Sequence, residues 1–155
     1  MMLDAIDRQI LAILQAEGRI SNSDLADHVG LSPSPCLRRL RRLEEDGFIS
    51  RYVAWVDQKR VGLPVSIFIS IRLDRQAEDE IDRFEREIKN YPEVMECYLM
   101  TGSRDYLLRV VAADVEAYER FLKQKLTRVK GVASIESSFA LNQVKYTNVL
   151  PIPDA

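Results

Sequence analysis

The chain contains few of the residues on which common catalytic and metal sites depend. Its 155 residues include one histidine, His28, and two cysteines, Cys36 and Cys97, which lie far apart in the sequence. It has no cysteines at zinc-ligand spacing, no glycine-rich phosphate loop, and no serine–histidine or cysteine–histidine pattern typical of a nucleophile. We therefore expect no enzyme activity, no metal site and no cofactor.

Long apolar runs are also missing. No stretch approaches the roughly 18 apolar residues of a membrane-spanning helix. The N-terminus carries Asp4 and Asp7 where a signal peptide would have an apolar segment. Two cysteines without an export signal are typical of reduced thiols. These features predict a cytoplasmic protein with no membrane partner.

The chain lacks net positive charge, because its formal charge at pH 7 is -2. Against this background the arginines Arg38, Arg39, Arg41 and Arg42 crowd together in one short segment. On a helix, such a cluster would suit the phosphates and grooves of DNA. A nucleic acid would have to bind one basic face, since the whole chain cannot attract it through net charge.

The hydrophobic spacing of the first part of the chain predicts three helices. Apolar residues recur at steps of three and four between Leu3 and Gln15, which is typical of an amphipathic helix. Ser21 and Ser32 are favourable N-cap residues for two further helices, and Pro33 fits the first turn of the third. The tight turn between the second and third helices predicts a helix-turn-helix.

We therefore assign residues 1–50 to a winged helix-turn-helix domain. The segment from Phe48 to Val56 is rich in β-branched and aromatic residues, and it predicts one extended strand or wing. Residues 51–63 form the extended strand and linker, and Pro64 marks the next boundary.

Residues 64–155 follow a different pattern. Side chains alternate between apolar and polar from Val65 to Leu73, as in a half-buried strand. The pattern then predicts a helix, two strands joined by a hairpin turn, a helix capped by Asp114, and a last strand beginning at Val132. The order β-α-β-β-α-β is the ferredoxin-like arrangement of the α+β class. Both helices would cover one face of the sheet, so we expect a second copy of the chain to cover the face that carries Phe68.

The predicted third helix holds the candidate DNA contacts, because the second helix of a helix-turn-helix enters the major groove. These candidates are Ser32, Ser34, Leu37, Arg38, Arg39, Arg41 and Arg42. Arginine can contact either guanine or phosphate. The alternative is a solvated helix face whose arginines pair with Glu44, Glu45 and Asp46 downstream.

Several separate motifs occur in one order along the chain. They are Leu3 to Leu11, Gly18 to Ser21, Gly30 to Leu37, Arg41 to Glu44 with Gly47, Thr101 to Leu107, and Lys130 to Val132. In this order they resemble the leucine-responsive regulatory protein/AsnC (Lrp/AsnC) family over nearly the whole chain. The resemblance implies a winged helix-turn-helix that binds double-stranded DNA and a ferredoxin-like domain that dimerises through its sheet. It also implies dimers that assemble further, often into octamers, with small molecules, usually amino acids, bound between dimers.

The same resemblance places the effector close to the loop from Gly102 to Tyr106. The implied effector-binding residues are Leu99, Thr101, Gly102, Asp105, Tyr106, Ser137 and Ser138, with Phe139 beside them. Backbone N–H groups of the loop would hold a carboxylate, and Asp105 would face the amino group or order the loop. Without the resemblance, the segment is simply a hairpin loop in which Gly102 permits the turn and Asp105 bonds local backbone.

Two other functions share the predicted C-terminal topology. RNA-recognition domains need several exposed aromatic residues on their central strands, and the strand beginning at Tyr106 offers only one. Amino-acid-binding regulatory domains of enzymes are fused to catalytic domains, and the sequence has no sign of one. We therefore predict a sequence-specific DNA-binding transcriptional regulator, and the resemblance implies that it responds to a small effector.

Overall fold

The computed structural model describes residues 2–153 and divides the chain into two units. The first unit comprises the chain through Trp55 together with the segment from Lys145 onward, and the second is Val56–Val144. The sequence-based boundaries had grouped all of residues 64–155 together. The structure instead places the C-terminal segment with the helices of the first unit.

Three helices build the first unit. They are α1 (Ala5–Ala16), α2 (Asn22–His28) and α3 (Pro33–Glu45). Asp4 caps α1 by accepting a hydrogen bond from the N–H of Asp7, and Ser21 caps α2 in the same way. Ser32 stands at the N-cap position of α3, but its side chain makes no capping hydrogen bond.

The core of the first unit lies where the apolar stripes of the three helices meet. Ile10, Leu25, Ala26, Cys36 and Leu43 are fully buried there. Burying a leucine or isoleucine side chain, such as Leu25 or Ile10, stabilises the fold by roughly 1.5–3 kcal/mol. This packing holds α3 against α1 and α2 and leaves one side of α3 in solvent.

The C-terminal segment packs on the same helices. The Gln15 amide bonds the backbone of Leu150 twice: Nε2 donates to the carbonyl at 3.1 Å, and Oε1 accepts from the N–H at 2.6 Å. Ile152 packs against the helical core, and the Tyr146 ring meets Trp55 edge-on with centroids 4.9 Å apart. Local sequence pattern does not reveal these contacts, because Gln15 and Leu150 are 135 positions apart.

The strand expected over Phe48–Val56 is not formed among the described residues, which have no hydrogen-bonded strand in this segment. The physical reason is that no neighbouring strand pairs with its backbone, and a strand satisfies its N–H and C=O groups only through such a neighbour. Tyr52, Val53 and Trp55 remain largely exposed. The composition of the segment favoured an extended backbone without providing the partner that a strand needs.

The second unit alternates strands and helices. Its elements are β1 (Val65–Leu73), α4 (Glu78–Ile88), β2 (Val94–Leu99), β3 (Tyr106–Ala112), α5 (Val115–Gln124), a 3₁₀ turn (Leu126–Arg128) and β4 (Val132–Phe139). The strands form one sheet in the order β2-β3-β1-β4, and every neighbouring pair is antiparallel. This confirms the predicted ferredoxin-like α+β fold.

β1 lies inside the sheet, and its alternation decides which face is buried. Ile67, Ile69 and Ile71 are fully buried against residues of both helices, including Phe84 of α4. Phe68 points to the opposite face and is 39% exposed. Both helices therefore cover one face, as the side-chain period of two predicts for a sheet buried on one side.

Replacing Ile69 with alanine should destabilise the second unit by about 2–5 kcal/mol, because it removes apolar contacts and leaves a cavity in a closed core. Urea or thermal unfolding of the variant and the unaltered protein measures the difference. Val115→Ala is the matched control, since Val115 is an exposed aliphatic residue. Equal losses in the two variants would contradict the assignment of Ile69 to the core.

Candidate nucleic-acid interface and effector loop

The arginine cluster lies on α3, where helical geometry divides it. Arg38 and Arg41 are three residues apart and share one side of the helix, whereas Arg39 lies about 100° further round. Arg38 and Arg41 are exposed, and neither has a hydrogen-bonding partner among residues 2–153. Ser34 is also exposed, and Leu37 is half-buried beside it.

Arg39 and Arg42 bind a buried carboxylate of α1. The Nη1 group of Arg39 donates to Asp7 Oδ1 at 2.8 Å and to Asp4 Oδ2 at 2.6 Å. The Nη2 group of Arg42 lies 3.0 Å from Asp7 Oδ1 and 2.9 Å from Oδ2. Asp7 is only 1% exposed, whereas the Arg39 and Arg42 side chains are 27% and 46% exposed.

The four arginines therefore do not face one partner together. The pairing considered from sequence was with the downstream acids Glu44, Glu45 and Asp46. The observed partners lie on α1, more than thirty positions away, because Arg39 points toward that helix. Arg39 and Arg42 bind the carboxylates of Asp4 and Asp7, while Arg38 and Arg41 remain in solvent without such a partner in residues 2–153.

Hydrogen bonding favours the charged forms of Asp4 and Arg39. The pKa of Asp4 is lowered, chiefly because its carboxylate accepts the N–H of Asp7 and next because it accepts from Arg39. The pKa of Arg39 is raised by its hydrogen bonds to Asp4 and then Asp7. The Asp4–Arg39 ion pair is consequently intact at neutral pH.

In the sequence, Asp7 stands out only as one of two acids near the N-terminus. A signal was available, however, because Leu3, Asp7, Ile10 and Leu14 follow helical steps of four, three and four. A carboxylate in an apolar stripe needs a cationic partner, since an unpaired buried charge is costly. The sequence did not say which arginines would supply it.

Asp105 holds the predicted effector loop to the end of β1. Its Oδ2 accepts from the N–H of Leu73 at 2.7 Å, and its Oδ1 accepts from Nε2 of Gln76 at 2.6 Å. Its own N–H donates to the carbonyl of Ile71 at 2.8 Å. Gly102, at the exposed tip of the loop, has φ +104°, a conformation that L side chains rarely adopt. Asp105 therefore orders the loop, one of the two roles considered for it.

The Tyr106 side chain points into the core and not toward the loop surface. It is 1% exposed, its hydroxyl donates to Glu85 Oε1 at 2.9 Å, and its ring centroid lies 4.6 Å from that of Phe84. Burial, and then the hydrogen bond to Glu85, raise the pKa of this phenol. Alternation along β3 turns the Tyr106 side chain toward α4, and the place beside the effector that the resemblance gives this residue stays a prediction.

The remaining predicted effector residues are spread over the unit. Leu99 lines a cavity of about 130 Å³ with Tyr106 and Lys89, while Thr101 is exposed in the loop. Ser137 hydrogen-bonds the Tyr118 hydroxyl, and Ser138 and Phe139 are exposed. β2 and β4 are the two opposite edges of the sheet, so one chain does not bring Leu99 together with Ser137.

A larger cavity, about 400 Å³, lies elsewhere in the same unit and contains none of the predicted residues. Val111, Phe121 and Lys125 are among its lining residues, at the end of β3 and along α5. Sequence reasoning missed this cavity, because its lining residues follow ordinary core and surface patterns.

Metal-binding clusters and membrane-spanning helices are both missing from the described residues. Within residues 2–153, no group of three or more histidine, cysteine, aspartate or glutamate side chains is placed to hold a metal ion. None of the helices in that range has the length and apolar content needed to cross a membrane.

Tyr106→Phe should lower the free energy of unfolding by about 0.5–1.5 kcal/mol, because it removes the hydrogen bond to Glu85 and keeps the ring packing. Urea denaturation measures the change. Since the side chain faces the core, the thermal response to added amino acids should equal that of the unaltered protein. Loss of that response with unchanged stability would instead place Tyr106 in contact with ligand.

Comparison with known families agrees with both halves of this arrangement. A family model described as the Lrp/AsnC ligand binding domain matches residues 66–150. A second, described as winged helix-turn-helix DNA-binding, matches residues 3–50. Together they cover the two regions in which the candidate sites lie.

Individual relatives extend over almost the whole chain. The chain is 47% identical over 150 residues to the Bkd operon transcriptional regulator of Pseudomonas aeruginosa, which covers 97% of this chain and 98% of that protein. It is 41% identical over 150 residues to the leucine-responsive regulatory protein of Escherichia coli, covering 97% and 92%. A transcriptional regulator from Neisseria meningitidis, solved in complex with L-Met, is 39% identical with a TM-score of 0.93 and covers 97% of each chain.

Proposed function

The chain belongs to the Lrp/AsnC family and is a DNA-binding transcriptional regulator with a ligand-binding domain, not an enzyme, and we propose that α3 reads duplex DNA. The proposed contacts are Ser32, Ser34, Leu37, Arg38 and Arg41, with Arg42 at their edge. The observation that carries this proposal is the exposure of Arg38 and Arg41 without a partner in the described chain. The RNA-binding and enzyme-regulatory alternatives are not retained.

The chemistry of these side chains suits the two parts of a DNA contact. Arginine forms bidentate hydrogen bonds with guanine in the major groove and also binds phosphate. The hydroxyl of Ser32 makes no capping bond and is exposed, so it is available to donate to a phosphate oxygen. Leu37 can pack against a thymine methyl group.

Arg38→Ala and Arg41→Ala should each weaken DNA binding and lower the salt slope by about one, because each removes one cationic contact. Fluorescence anisotropy over a salt series measures both quantities on a duplex that the unaltered protein selects from a random-sequence pool. Arg120→Ala is the matched control, since Arg120 is an exposed arginine of the second unit. Unchanged affinity and slope in both test variants would contradict the proposed DNA face.

The second part of the proposal concerns the effector, which we infer to be an amino acid bound near the β2–β3 loop. Support comes from the Neisseria meningitidis regulator, which was solved with L-Met. Thr101 and Gly102 are exposed and offer backbone groups to a carboxylate. Because Leu99 and Ser137 lie apart within one chain, we propose that a neighbouring copy completes the site.

The exposed sheet face and the membership of the Lrp/AsnC family support a proposed assembly. A homodimer would cover the sheet face that carries Phe68, and dimers would assemble into an octamer with effector sites between them. Such covering removes exposed apolar area from water. The proposed place of action is the cytoplasm, where a bacterial regulator meets DNA.

Asp105→Ala should abolish or strongly reduce the response to effector, because the loop loses its ties to Leu73 and Gln76. The measurement is thermal melting against each of the twenty amino acids, since a ligand of the native state raises its apparent stability. Light scattering should give the same oligomer mass as for the unaltered protein. Asp74→Ala is the control, because Asp74 is a nearby exposed carboxylate. A full response in Asp105→Ala would place the effector site elsewhere.

A further inference from the structure

We propose that Asp7 is a positioning residue for DNA binding, acting from α1 through Arg42 of α3. This inference rests on the proposed DNA-reading role of α3. Asp7 itself is buried and cannot touch DNA. Arg42 is bound to it on one side and is still 46% exposed on the other.

Both oxygens of the Asp7 carboxylate are occupied by hydrogen bonds. Asp7 accepts from Arg39 through Oδ1 and from Arg42 through both oxygens. Oδ2 also accepts from the N–H of Asp4 at 3.3 Å. With both oxygens occupied and 1% exposure, the carboxylate has one arrangement open to it. It therefore fixes the direction in which Arg42 leaves the helix.

Arg42 lies next to the exposed arginines on the surface of α3. Arg42 follows Arg38 by four residues, so the two side chains are neighbours on the helix surface. Arg39 is turned further toward α1 and is 27% exposed. Arg42 therefore stands at the boundary between the buried carboxylate and the exposed arginines.

Arg42 retains N–H donors that Asp7 does not bind. A guanidinium carries five N–H donors in a rigid plane. Its contacts with Asp7 use Nη2 only, and Nη1 and Nε have no partner in the described part of the chain. A planar group held by a carboxylate on one edge presents the other edge in a defined direction, which suits a phosphate oxygen.

The ion pairs also decide where the net positive charge of the arginine cluster lies. Asp4 and Asp7 offset the charges of Arg39 and Arg42, so Arg38 and Arg41 carry the uncompensated positive charge of the cluster. Arg42 then contributes to DNA binding by direction more than by net charge. Such a contact depends on its orienting carboxylate, whereas a freely moving surface arginine does not.

The test is a double-mutant cycle on DNA affinity in the full chain, with Asp7→Asn, Arg42→Gln and the double variant. The probe is a duplex selected by the unaltered protein from a random pool. We expect each single variant to weaken binding about tenfold and to lower the salt slope by about one. The double variant should also lose only about tenfold in DNA affinity relative to the unaltered protein, because both changes remove the same contact. Glu119→Gln is the control, since it makes the same charge change in an exposed ion pair of the second unit.

Other outcomes separate a merely structural role. If Asp7→Asn lowers the melting temperature without changing the salt slope, or if the two losses multiply to about a hundredfold, the proposal is overturned. Tighter binding by Asp7→Asn would also overturn it, because the carboxylate would then only withhold positive charge. If neither Arg38→Ala nor Arg41→Ala affects DNA binding, the proposed DNA-reading role of α3 is wrong. That result is distinct from a failure of the double-mutant cycle, which concerns only Asp7 and Arg42.

Asp7→Asn has to fold for the cycle to be informative, and circular dichroism checks this. If it does not fold, Arg42→Lys replaces it, because lysine keeps the charge but lacks the planar fork that holds a carboxylate and a phosphate together. We then expect about a tenfold loss of affinity with the fold intact. Binding equal to that of the unaltered protein would overturn the proposal.

Discussion

The buried carboxylate of Asp7 is the constraint on which the DNA-binding unit depends. A charge inside a protein is costly unless it is paired and hydrogen-bonded, and Asp7 meets both conditions through Arg39 and Arg42. Because the partners stand on α3 and the carboxylate on α1, the pairing ties the two helices together. Apolar packing around Leu43 is non-directional, whereas the hydrogen bonds from Arg39 and Arg42 to Asp7 restrict rotation of α3. The orientation of the exposed arginines therefore follows from a residue that is itself hidden.

The second unit uses a carboxylate in a comparable way at its β2–β3 loop. Its stability comes from apolar packing around β1, where Ile67, Ile69 and Ile71 are buried beneath the helices. At the end of that strand Asp105 binds the backbone of Leu73 and the side chain of Gln76. In both units an acidic side chain ties a segment proposed to bind a ligand to an element that hydrophobic burial has already placed. The segments proposed to bind DNA and effector are thus held by directional hydrogen bonds in addition to non-directional packing.

The dispersion of the predicted effector residues has a geometric cause in the sheet. Residues of β2 and β4 belong to opposite edges, and the strands between them keep their side chains apart. A site that uses residues from both edges therefore has to be assembled from more than one chain. The exposed side of the sheet, with Phe68, is available for the same purpose. The proposed effector site therefore depends on self-association of the chain.

Much of the architecture follows from the sequence by itself. The helices, the strands and most caps depend on periodicity and hydrogen bonds within a few residues, as Asp4, Ser21 and Asp114 illustrate. Tertiary structure alone decided that Arg39 and Arg42 are bound and that the segment from Lys145 joins the first unit. Tertiary structure also decided that no neighbouring strand of the described chain pairs with the segment from Phe48 to Val56, so the strand expected there does not form. The reason is range: these outcomes depend on contacts such as Gln15 with Leu150, 135 positions apart, which no local pattern encodes.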